Sequence, residues 1–143
     1  MLASTQAGMA FSNSSVALVH GMSRPIGGHF HVAHGLSNAM LLPAVTQFSI
    51  DSAIDRYADC ARAMGVVTES VGNREAAGAL VTELLRLCVD VEVPTPQSYG
   101  IDKATWEAHL NTMAVQALVS RSPDNNPRIP TRDEIVDLYR QIF

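Results

Sequence analysis

His20-Gly-Met-Ser-Arg24-Pro25-Ile-Gly27-Gly28-His29-Phe-His31-Val-Ala33-His34-Gly35 carries four of the five histidines of the chain. This stretch decides how the first third must fold. His20 and His34 are fourteen residues apart, so on one straight helix they would share a direction but stand about 21 Å from each other. A metal–nitrogen bond is about 2 Å long, so a continuous helix cannot bring both imidazoles to one ion. Either the histidines serve separate purposes or the chain folds back between them, with Pro25, Gly27, Gly28 and a corner at Gly35 as the means. His31 and His34, three apart, form an alternative local pair, and His29 and His31 alternate without converging. The plainer reading is that these histidines cap and hydrogen-bond a buried turn.

The setting of the cluster is unusual. Among residues 1–50 the only charged side chain is Arg24, while residues 51–143 hold all the others. A third of the chain so poor in charge is expected to be buried, by the rest of the chain or by a partner. No Asp or Glu precedes Asp51, and no HExxH occurs, so the two histidines lack the third protein ligand that a catalytic metal site requires.

Working outward, nearly everything reads as helix. Leu2–Phe11 and Val16–Met22 are short helical stretches separated by Ser12-Asn-Ser-Ser15, the second being disturbed at Pro25. Leu36–Phe48 is a buried helix around Pro43. From Ser49 to Met64 an apolar stripe at Ile50, Ala53, Ile54, Tyr57, Ala58, Ala61 and Met64 predicts one helix, with Gly65 as its terminator. Asn73–Val91 repeats the pattern with Ala77, Leu80, Leu84, Leu87, Cys88 and Val91 inward. Loops at Val93–Gly100 and Asp124–Pro130 flank a helix from Asp102 or Lys103 to Val119. Thr131 and Glu134 match a capping box that opens a last helix ending near Ile142. No period-two alternation occurs, so the fold class is all-α, a bundle-like domain of six or seven helices.

The chain of 143 residues is one domain's worth, and 47% apolar with 17% charged residues fits a globular core. A net charge of −4 gives no electrostatic basis for nucleic acid or an anionic membrane. No targeting segment or bilayer-spanning run is expected. Cys60 and Cys88 read as reduced core thiols, which points to a cytoplasmic protein. His109 reads as a solvated surface residue, Trp106 and Tyr57 as core or interface, and Asn38 as a brace for the turn at His34. His29 and His31 line that turn, near substrate or in structural hydrogen bonds.

Several longer motifs then carry a resemblance. They are Ala7-Gly-Met-Ala-Phe-Ser-Asn13, Leu18-Val-His20-Gly-Met22, Pro25-Ile-Gly27 and His34-Gly35-Leu-Ser-Asn38-Ala-Met-Leu-Leu-Pro43. With Arg56-Tyr57, Ala63-Met64-Gly65, Asp124-Asn-Asn-Pro-Arg128 and Asp133-Glu-Ile-Val-Asp-Leu-Tyr139, they resemble the C-terminal signature of the iron-type (group III) alcohol dehydrogenases across essentially the whole chain.

The resemblance implies a helical metal-binding domain, residues 1–143 forming only its second part. The N-terminal dinucleotide-binding domain is absent, and the end looks like the family's natural C-terminus. In the family one Asp and three His hold a divalent metal, iron or zinc; two of those ligands match His20 and His34, and the others would lie before Met1. The reaction implied is hydride transfer between an alcohol and NAD(P), with the metal as Lewis acid. The position of Arg24 is commonly His in the family and faces the cleft, so Arg24 and His31 are candidate substrate- or cofactor-cleft residues. Arg24 suits a substrate carboxylate or, equally, an acid of the absent part. Ala33 replaces a common Pro. No cofactor-binding or catalytic residue is assigned within this chain. It is expected to be inactive alone, with a homo-oligomer or the N-terminal half as partner. The alternatives are a split dehydrogenase completed by a second polypeptide and a non-catalytic oligomerisation module.

Overall fold

The computed structural model describes all 143 residues as seven α-helices and no strands. They are α1 (Leu2–Ser14), α2 (Leu18–Phe30), α3 (His34–Ser49), α4 (Ile54–Ala63), α5 (Asn73–Asp90), α6 (Lys103–Val119) and α7 (Arg132–Gln141), with short 3-10 turns at Ile50–Ser52 and Ser122–Asn125. No helix is long and apolar enough to cross a membrane.

The main core joins α2, α3, α6 and α7. Leu18, Met22 and Ile26 of α2, at i, i+4 and i+8, are fully buried with Leu41, Trp106, Met113, Ile135 and Tyr139. This stripe explains why α2 runs straight through Pro25, Gly27 and Gly28, where the sequence predicts disruption. An interior proline costs roughly 3 kcal/mol. Burial of each large apolar side chain returns about 1.5–3 kcal/mol, so three of them outweigh it. Pro43 likewise sits inside α3. Its missing N–H leaves the Ala39 carbonyl without the usual helical donor, and the Cys88 thiol of α5 donates to that oxygen at 3.8 Å.

The fold-back falls later than predicted. His31, in the left-handed region at φ 55°, ends α2 and donates its N–H to the Gly27 carbonyl at 3.0 Å. The returning chain passes close over Gly27, where a Cβ would lie 3.3 Å from the Val32 carbonyl oxygen. Gly35 is no corner; it lies in the first turn of α3 with open space around it.

The segment 49–64 is not one helix. Ser49 Oγ donates back to the Val45 carbonyl at 2.8 Å, and the Asp51 carboxylate accepts from Arg74. The chain makes a 3-10 turn there and restarts at Ile54 after Ala53 leaves helical geometry. Gly65 does end α4, at φ 72°: its N–H reaches Arg62 O and that of Val66 reaches Ala61 O, the paired bonds of a Schellman cap. A second core of Ala58, Ala61, Ala76, Ala77, Leu80 and Leu84 locks α4 to α5. Leu87 and Val91, expected inward, are exposed because the longer α5 outruns the ten-residue α4. Cys60 is exposed rather than core, and Cys88 is half-buried; both thiols are free.

The charge-poor third divides. α2 and α3 are built into the core, but α1 buries no residue and leaves Met9 and Phe11 exposed. The Thr131–Glu134 capping box forms as predicted, and Asp102 caps α6 through Thr105.

Candidate functional site

The fold-back at His31–Ala33 lays the start of α3 beside α2, so His20, in the first turn of α2, meets His34, the first residue of α3. Their ring centroids are 5.1 Å apart. Two imidazole nitrogens bonded tetrahedrally to one ion at about 2.0–2.1 Å place their ring centroids about 5 Å apart, which is the spacing found. Burial, followed by its neighbours His34 and Arg24, holds the His20 imidazole below its ordinary value. His20 is consequently neutral near pH 7, the form that binds a metal.

Asn38, one turn into α3, places Nδ2 3.1 Å from His34 Nε2, while its Oδ1 is buried without a donor. The brace expected at Asn38 is thus present. Ser37 also closes the turn, donating to the His34 carbonyl at 3.0 Å. The donor set fits a divalent ion as far as it goes. It consists of two adjacent imidazoles, and nowhere does a group of three or more His, Cys, Asp or Glu come together.

His31 stands exposed at the turn, and the ring neighbour of His34 is His20 rather than His31. His29 leaves the cluster altogether. Its Nε2 lies 3.0 Å from Gln116 Oε1 on α6, and its ring is 4.9 Å from that of His109. His109, expected to be solvated, is half-buried; it donates through Nδ1 to Thr105 O at 2.7 Å and packs on Phe30. Trp106 is core as expected, and its Nε1 donates to the Tyr139 carbonyl.

Arg24 lies one helical turn beyond His20 and is exposed. It opens onto a pocket of about 360 Å³ shared with Pro25, Gly28, His29, Gln116 and Ser120. On the other side of His20, an apolar hollow includes Phe11, Val19, Asn38 and Leu42.

Other supports could not be read from the sequence. Tyr139 Oη donates to the Met22 carbonyl at 2.7 Å across 117 residues, and burial pushes its phenol far above the ordinary value, so it stays a donor. Gly21, next to His20, presses on Pro123, whose Cδ would lie 3.0 Å from a Cβ. Gln116 and Ser120 likewise carry no local signal of their place beside Arg24.

Comparison with known proteins identifies the family. Residues 1–143 match the Fe-containing alcohol dehydrogenase family, C-terminal part. The chain is 39% identical over 133 residues to lactaldehyde reductase of Escherichia coli K12, covering 93% of this chain and 34% of that protein. It is 34% identical to 1,3-propanediol dehydrogenase of Citrobacter freundii, covering 99% of this chain and 36% of that one. Among solved structures, a 1,3-propanediol oxidoreductase superposes with a TM-score of 0.88 at 32% identity, over 96% of this chain and 35% of the other. The iron-containing alcohol dehydrogenase of Thermococcus thioreducens gives 0.84 at 30% identity, over 99% and 35%. The chain thus spans about a third of the length of these relatives. It belongs to the iron-containing alcohol dehydrogenase family and corresponds to the C-terminal helical part of its members.

Proposed function

We propose that this chain supplies half of the metal site and one wall of the substrate cleft of an NAD(P)-dependent alcohol dehydrogenase. The observation that carries the reading is the pairing of His20 with His34 at 5.1 Å in a part of the chain that contains no carboxylate. His20 and His34 would hold a divalent ion, iron or zinc, whose bound form acts as a Lewis acid on the alcohol oxygen and eases loss of its proton.

Within the chain, burial keeps His20 neutral, Asn38 and Ser37 fix the turn at His34, and the α2–α7 tie holds the helix that carries His20. Arg24 and His31 border the cleft. The remaining ligands and the dinucleotide platform come from the N-terminal part of the full protein. Structural zinc and catalytic metal sites alike use three or four protein ligands, so two imidazoles alone bind weakly and this chain by itself does not turn over substrate.

The test is NAD(P)-linked oxidation of 1,2-propanediol and 1,3-propanediol by the chain alone and by the chain completed with its cofactor-binding part. Metal content is measured on both. Activity and metal retained through purification are expected in the completed enzyme; the chain alone is expected to be inactive and to retain no metal through purification. His20→Ala and His34→Ala should each abolish activity and metal in the completed enzyme. Turnover by the chain alone, or full metal content in either variant, overturns the assignment.

A further inference from the structure

We propose that Arg24 is a specificity-determining residue that receives the carboxylate of the substrate, so that the alcohol taken is a short hydroxy acid. The inference rests on the dehydrogenase reading above for the position of the hydroxyl. It rests on this chain alone for the position of the acid.

Three observations meet at Arg24. Most arginines of the chain face a carboxylate, as Arg62, Arg74, Arg86 and Arg140 do; Arg24 and Arg56 form no ion pair, and of these two Arg24 opens onto a pocket. No acidic residue lies within the first fifty positions to provide one. The pocket beside it, about 360 Å³, contains no acid; it is bounded by Pro25, Gly28, His29, Gln116 and Ser120. In that pocket His29 and Gln116 bond through Nε2 and Oε1, which leaves the Gln116 amide nitrogen free as a donor on the lining that it shares with Arg24. A guanidinium with a neutral amide donor on one pocket wall, and no acid beside it, matches a planar carboxylate bound through two parallel hydrogen bonds.

Helical spacing sets the scale of the substrate. Arg24 is four residues beyond His20, about 6 Å along the axis. A hydroxyl held at His20 and His34 and a carboxylate at Arg24 are therefore separated by only a few bonds, as in 3-hydroxypropanoate or 4-hydroxybutanoate. Oxidation then moves a hydride from the carbinol carbon to the nicotinamide and releases the hydroxyl proton. The carboxylate passes through unchanged, and the product is the corresponding aldehyde acid.

Two experiments test this. In the completed enzyme, kcat/KM is measured for each hydroxy acid against its own neutral amide, in the wild type and in Arg24→Gln and Arg24→Lys. The wild type is expected to prefer the acids. Arg24→Gln should lower the acid-to-amide ratio roughly 10–100-fold, the range for loss of a charged hydrogen bond, mostly through KM. Arg24→Lys should restore part of it. Equal losses on acid and amide would mean that Arg24 pairs with an acid elsewhere in the full protein. A rise confined to the KM for NADP would assign it to a cofactor phosphate. Either result overturns the proposal.

Independently, proton–nitrogen NMR of the 143-residue chain follows the Arg24 Nε–H and the Gln116 amide during titration with acid or amide. Saturable shifts with the acid alone, lost in Arg24→Gln, are expected; identical responses to acid and amide overturn the carboxylate site. If the NMR result holds but no alcohol is oxidised, the dehydrogenase reading fails and the anion site stands. If neutral alcohols are oxidised with no preference for acids, the reverse is true.

Discussion

His20 and His34, fourteen residues apart in sequence, bring their ring centroids to 5.1 Å because the chain reverses at a left-handed His31. The pair is preformed, so the chain alone should show weak, saturable binding of Zn²⁺ in titration calorimetry. His20→Ala and His34→Ala should each remove it, whereas His31→Ala should leave it in place. Binding that survives either of the first two substitutions would place the ion elsewhere.

The bond from Tyr139 Oη to the Met22 carbonyl is buried at both ends. Tyr139→Phe deletes it with little change of volume. The expected loss is about 1 kcal/mol, read as a lower midpoint in urea with an unchanged slope. No loss would mean that the hydroxyl exchanges its partner for water at no cost.

Two glycines should respond to alanine for different reasons. At Gly21 an added methyl gains roughly 1 kcal/mol of helix propensity. It also meets the rigid, buried ring of Pro123 at 3.0 Å, and overpacking of that kind costs about 1–3 kcal/mol. Gly21→Ala should therefore be destabilising overall. At Gly65 there is open space, but φ is +72°, so Gly65→Ala should cost about 1 kcal/mol through backbone strain alone. Thermal melts of the two variants check both signs.

The capping box of α7 makes stability depend on pH. Hydrogen bonds from the Thr131 backbone and hydroxyl, followed by Arg128, hold the Glu134 carboxyl below its ordinary value. The depressed value means that the unfolded chain takes up the proton first on acidification. The contribution of Glu134 is complete above the unfolded pKa, about 4.3, and is lost as the pH falls through the lower folded value. Glu134→Gln should flatten the stability profile in that window, and Thr131→Ala should cost about 1 kcal/mol at neutral pH. A profile unchanged in Glu134→Gln would assign the acid sensitivity to other carboxylates.

What was legible in the sequence was local or was forced by distance. Thr131 and Glu134 announce a cap because both bonds close within four residues, and Gly65 announces a helix end because glycine enters φ > 0 freely. The need for a reversal between His20 and His34 followed from length alone. Its position did not, because Pro25 breaks a helix only when nothing repays its cost, and the repayment comes from α6 and α7, residues far along the chain. A histidine in the left-handed region carries little local signal, so His31 was not identifiable as the corner. The regrouping of His29 with His109 and Gln116 spans about 80 residues and could not be seen in any window of sequence.

The tie between Tyr139 and Met22 also orders the events of folding. Contacts of such wide sequence separation form late, after the loop entropy between their ends has been overcome. Met22, on the helix that bears His20, is made 117 residues ahead of Tyr139, the residue that ties that helix down. The half of the histidine pair that is made first is therefore expected to be locked late, with the His20–His34 pair reaching fixed geometry once α7 has docked.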